Sequence, residues 1–201
     1  MRTTFQTEIE LANLILHSSQ LADPTNRFAI AMKEISKIRS KTDADYKKLA
    51  DLEFTGSLYV NRQNQIILPG RLFEAAIHEG AKISREGKKA LASVIVENDP
   101  VISYDGGPLS VEELLKSEQH RLVVAVRVQQ AKVMRTRPIF ENVKAKFIVS
   151  FDDGLSDAKS LKNWIETALN QKGIGDWRPR HGRGILTKFE EIKQPLAVAA
   201  E

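Results

Sequence analysis

Two stretches of the chain alternate apolar and polar residues with the period of a strand. In RLVVAVRVQQ, residues 121–130, Leu122, Val124, Val126 and Val128 fall on one side and Arg121, Arg127 and Gln129 on the other. In NVKAKFIVSF, residues 142–151, Val143, Ala145, Phe147, Val149 and Phe151 stand opposite Lys144 and Lys146. Side chains two apart share a strand face, so each stretch predicts a half-buried strand. Residues 4–16, TFQTEIELANLIL, alternate at Phe5, Ile9 and Leu11 before turning continuously apolar. That pattern predicts a strand ending in the core. The helical period appears in RLFEAAIHEGAKI, with Leu72, Phe73, Ala76, Ile77 and Ile83 on one face. It returns in SDAKSLKNWIETALNQ, where Leu161, Trp164, Ile165, Ala168 and Leu169 align and Ser156 or Asp157 stands as cap.

Smaller elements fill the intervals. Pro24 opens a helix with Phe28, Met32, Ile35 and Ile38 at helical spacing, and Thr42 caps a second helix to about Leu52. GSLYVNRQNQIILPG predicts two short strands around a polar turn, ALASVIVEN another strand, and VEELLKS a short helix. The main elements then run strand (4–16), helix (71–83), strand (120–129), strand (143–151), helix (156–171) and strand (184–192). This β-α-β-β-α-β order predicts an α+β, ferredoxin-like (RRM-like) fold, with two helices on one face of an antiparallel sheet. One domain is expected over 1–192, with a mostly helical insertion at about 18–55 and a flexible tail at 193–201.

Composition narrows the function classes. Of 201 residues, 42% are hydrophobic and 28% charged, the balance of a globular protein. The absence of cysteine excludes disulfides, thiolate metal sites and thiol nucleophiles. No apolar run approaches the roughly 20 residues of a membrane span. MRTTFQTEIE lacks the apolar core of a secretory signal, so a cytoplasmic location is expected.

The net charge of +4 matters less than its placement. Arg121, Arg127, Lys132, Arg135 and Arg137 cluster without an acid between 121 and 137. Lys172, Arg178, Arg180, Arg183 and Lys188 cluster with only Asp176 among them. Such clusters are the footprint of a polyanion partner. The second includes KGIGDWRPRHGRG, where Gly173, Gly175, Gly182, Gly184 and Pro179 rule out a regular helix or strand. In such a loop glycine N–H groups approach phosphate oxygens closely. Arg178, Arg180 and Arg183 add charge-assisted bonds, Trp177 offers a stacking surface for a base, and His181 is a further hydrogen-bond donor.

Two motifs in place on this topology carry a resemblance. IILPGRLFEAAI, with Leu68, Pro69, Gly70 and Arg71, enters the first main helix through a Pro-Gly turn, and the glycine loop precedes the last strand. Together they resemble the repeat-associated proteins of CRISPR systems, the RAMP superfamily that includes the Cas7-like backbone subunits. The wording GDWRP…GR is also similar to short uncharacterised proteins of bacteriophage genomes, which would place the chain in a host cytoplasm. The resemblance implies a binder of single-stranded RNA or DNA, assembling along the strand as a homo-oligomer or filament. Its RNA-cutting members carry an aspartate before the Pro-Gly turn, and none lies between Phe54 and Leu68 here.

The expected function is therefore non-enzymatic backbone binding, without cofactor, metal or membrane. Its contact set is Lys172, Gly173, Gly175, Trp177, Arg178, Arg180, His181, Gly182, Arg183, Gly184, Arg71, Arg127, Lys132, Arg135 and Arg137. The last two stand near a hairpin end, and Lys144 and Lys146 beside Arg127 would make a positive sheet surface. The alternatives are a structural or protein-interaction role, and a metal-independent ribonuclease with His17 as its general base. The histidines His17, His78, His120 and His181 lack metal-site spacing. Asp152 and Asp153 are expected to cap the following helix.

Overall fold

A computed structural model describes residues 1–128 and 130–192, so the expected tail lies outside the described residues. The chain divides into two compact units, one from 1–14, 67–105 and 141 onward, the other from 15–66 and 106–140.

The first unit is built on strands β1 (Arg2–Ile15), β2 (Ile95–Val96), β4 (Ala131–Asp152) and β5 (Gly184–Glu191) in the order β2-β4-β1-β5. Helix α3 (Gly70–Ala81) follows β1, and α6 (Ala158–Thr167) follows β4. That order is the α+β, ferredoxin-like arrangement. The alternation read from the sequence holds. Phe5, Ile9 and Leu11 of β1 and Val143 to Phe151 at alternate positions of β4 are buried. Phe147 stacks on Phe73 of α3 at 4.2 Å between ring centroids. Leu161, Trp164, Ile165, Ala168 and Leu169 are buried as one face, whereas Ile83 points outward. Gly80 lets α3 and α6 touch, since a Cβ there would lie 2.3 Å from the Trp164 carbonyl oxygen.

The second core strand is not 120–129. It is β2, only two residues long, pairing Ile95 with Ser150 and Val96 with Val149. Residues 90–93 of the expected ALASVIVEN strand belong instead to helix α4 (Gly87–Ser93). The expected strand survives only at Ile95 and Val96, and the longer alternation at 121–128 took its place among the main elements. The other sheet face is also unlike the expectation. Lys144 meets Glu10 at 3.0 Å and Lys146 meets Glu8 at 3.6 Å, so this surface is charge-balanced rather than positive.

The second unit contains α1 (Arg27–Ser36), α2 (Asp43–Ser57), α5 (Val111–Lys116) and the strand β3 (Arg121–Val128). Asn26, not Pro24, caps α1 through the N–H groups of Phe28 and Ala29. Thr42 and Asp45 form a reciprocal capping box on α2, which runs past Leu52 to Ser57. Residues 60–66 form an isolated bridge, Val60 to Ile66, rather than two strands. β3 pairs antiparallel with the first part of β4, from Arg121 opposite Pro138 to Val128 opposite Ala131.

The hairpin is fastened by acids of α2. Buried Glu53 accepts the Thr136 N–H at 2.8 Å, Arg137 Nη1 at 2.7 Å and Arg135 Nη1 at 3.1 Å. Arg121 reaches Asp51 at 2.6 Å and lies over the Phe54 ring. Removing one partner of a buried pair strands the other charge, at a cost of about 3–5 kcal/mol. Glu53→Ala should therefore lower stability to urea by about that amount. Asp51→Ala, at a more exposed pair, should cost about 1 kcal/mol or less. Equal small losses would contradict this assignment.

Candidate nucleic-acid interface

The glycine loop leaves α6 through a wide helical turn, Ala168–Lys172, and is stitched to its surroundings by backbone contacts. Gly173, at φ 74°, donates its N–H to the Ala168 carbonyl at 2.8 Å. Ile174 is buried and donates to the Gly182 carbonyl at 2.9 Å, while the Gly182 N–H reaches the Asn13 carbonyl on β1 at 3.1 Å. Gly182 has φ 78°, and a Cβ there would sit 1.7 Å from the Ile174 oxygen. A Cβ on Gly184 would lie 2.0 Å from the Glu10 oxygen. These glycines are required by close approach of backbone to backbone.

That geometry corrects the sequence expectation about phosphate. The N–H groups of Gly173 and Gly182 are used inside the fold, so these two glycines shape the loop rather than coordinate anions. The outward-facing groups are side chains. Arg178, Arg180 and Arg183 are exposed, and among the described residues no carboxylate pairs with any of them. Trp177 is half-buried with φ 52°, at the tip, and its carbonyl accepts the His181 N–H at 3.3 Å. Trp177, Lys172 and Arg178 line an open groove of about 540 Å³, which also takes in Gln171, Asp176 and Glu79 of α3.

His181 contacts Asn13 Oδ1 through Nδ1 at 2.9 Å. Burial, and then the neighbouring Arg180 charge, hold its pKa below the usual histidine value. It adds hydrogen bonding without a positive charge at neutral pH. Asn13, which closes the loop by both backbone and side chain, carried no signal in the sequence.

The remaining predicted residues lie outside the loop. Arg135 and Arg137 are held by Glu53, and Arg137 is only 6% exposed, so the expected basic hairpin end is corrected for both. Arg127 and Lys132 are exposed and stand opposite each other near the end of that hairpin, in the second unit. Arg71 is exposed on the first turn of α3, but the helix end itself is occupied. The Gly70 N–H donates to Asp99 Oδ1 at 2.7 Å, where an anion would otherwise sit. His17 is exposed, with Nδ1 3.2 Å from the buried Ser57 hydroxyl and its carbonyl near the Tyr59 hydroxyl at 3.4 Å. Among the described residues, no group of His, Asp and Glu gathers as a metal site, and no helix is long and apolar enough to cross a membrane.

Two outcomes follow from the loop geometry. Gly182→Ala should destabilise the first unit by several kcal/mol, because a positive φ and a blocked backbone combine. Arg178→Ala should leave the urea midpoint almost unchanged, and similar losses in both variants would contradict a stitched loop. The depressed His181 pKa means the unfolded chain binds this proton more readily. Stability therefore rises with pH across this window and falls as pH drops through about 6.5. His181→Asn should reduce that acid-side loss, measured by urea midpoints at neutral and mildly acidic pH.

No family model and no curated protein matches the sequence. Among solved structures, the chain is similar to one chain of the cryo-EM structure of the Type III-B Cmr-beta bound to cognate target RNA. The two superpose with TM-score 0.54 at 11% identity, over 95% of this chain. This chain spans 61% of the length of that one. The match shows a shared fold.

Proposed function

We propose that the protein binds single-stranded nucleic acid along its sugar-phosphate backbone without cutting it. The observation carrying this reading is the loop: Arg178, Arg180 and Arg183 project from a backbone pinned at Gly173, Gly182 and Gly184, with no carboxylate of the described residues against them. Guanidinium groups form forked bonds to phosphate oxygens. A fixed loop loses little freedom when it binds. Lys172 adds a charge on the same stretch, and Arg127, Lys132 and Arg71 extend the proposed contact set. Arg135 and Arg137 are left out, since Glu53 holds both.

The open face of the sheet supports the loop as the binding element. RRM sheets stack bases on aromatic side chains. Here that face carries Gln6, Glu8, Glu10, Lys144, Lys146 and Lys188, with acids set against lysines and no ring. Resemblance in fold to a chain from an RNA-bound complex agrees with a strand as partner.

Fluorescence anisotropy with labelled RNA and DNA oligomers tests the reading. Log affinity should fall with log salt by about 0.7 for each phosphate contact. Arg178→Ala with Arg180→Ala should weaken binding and flatten that slope by about 1.4. An unchanged slope would remove the loop from the interface, and no binding to either oligomer would leave a protein-interaction role. Bound RNA should be recovered at full length. Shortened products that disappear in His17→Ala would establish the ribonuclease alternative.

A further inference from the structure

A site that grips phosphate gains nothing from a carboxylate, yet the groove beside the loop contains two, Glu79 and Asp176. Glu79 of α3 lines it together with Trp177, Arg178 and Lys172. Its carboxylate is held in place by Lys82, whose Nζ meets Oε1. That bond, with the nearby His78 and Lys172 charges, lowers its pKa and keeps it ionised at neutral pH. Phosphate oxygens and an ionised carboxylate repel each other, so the phosphate rail does not cross Glu79. What the carboxylate attracts is a group rich in N–H donors. On a nucleic-acid strand such groups belong to the base edges, and the Trp177 ring in the same groove is a surface on which a base stacks.

Resting on the backbone-binding reading above, we infer that this groove receives one base of the bound strand and selects guanine. The guanine ring would lie against Trp177 while its N1–H and N2 amino group donate to the Glu79 carboxylate. Guanine presents two adjacent donors on its pairing edge, the fork that matches two carboxylate oxygens. Adenine and cytosine present one amino group beside an acceptor, which the carboxylate repels. Uracil and thymine place their single N–H between two carbonyls. Lys82 does not block this pairing, because each carboxylate oxygen accepts more than one hydrogen bond. Asp176 also lines the groove, and Glu79 is assigned as the reader because Lys82 fixes its carboxylate in place. The groove volume of about 540 Å³ falls in the range of small-ligand sites, enough for a base and its sugar.

Anisotropy with short oligouridylates carrying one central guanosine, inosine or adenosine tests this assignment. Guanosine should bind about fivefold or more tighter than adenosine, with inosine between them because it lacks the N2 amino group. Glu79→Gln, with folding confirmed by its urea midpoint, should bring the guanosine-to-adenosine ratio close to one. Equal affinity for the three oligomers would overturn guanine selection while leaving backbone binding intact. So would an unchanged ratio in Glu79→Gln. Binding to none of them, or to matching deoxy oligomers, would overturn both readings together.

Discussion

One backbone crossing holds the candidate site together. At Gly182 the carbonyl takes the Ile174 N–H and the N–H goes to the Asn13 carbonyl, in a space where a Cβ would overlap Ile174. The loop is thereby tied at once to its own entry segment at Ile174 and to β1, at the centre of the sheet. Everything attributed to the loop follows from this. The arginines project outward because the inner side of the backbone is filled, and the groove has a wall because Trp177 is fixed at a turned tip. A floppy loop of the same composition would carry the same charge without a defined face.

Charge is distributed between folding and surface in a way that net charge hides. The acids of α2 take Arg121, Arg135 and Arg137 and use them to hold the hairpin, and burial makes the Arg137–Glu53 pair the most demanding of them. On the polar sheet face, lysines of β4 are matched to glutamates of β1. Among the described residues, no carboxylate forms an ion pair with the loop cations Arg178, Arg180 and Arg183. Part of the positive charge is thus carried on a backbone pinned by its glycines.

Much of this was readable from the sequence, for a physical reason. Residues 143–151 and 156–171 have one face in the core, so their periods of two and 3.6 had to appear. The glycine loop was visible because close backbone approach excludes every other residue type at Gly182 and Gly184. Long-range partnership left no such trace. Arg137 and Glu53 are 84 positions apart, and His181 and Asn13 are 168 apart. Without the pairing, a buried arginine and an exposed one look the same. Of the strand expected at 90–98 only Ile95 and Val96 are β2, and because two positions show no period its place in the order went to the longer alternation of β3.

The central claim is that the loop recognises phosphate charge. The most direct measurement compares two oligomers of one sequence, a phosphodiester and an uncharged methylphosphonate. Near-complete loss of binding to the uncharged strand is predicted, with Arg178→Ala/Arg180→Ala narrowing the difference between the two. Comparable affinity for both strands would contradict the account.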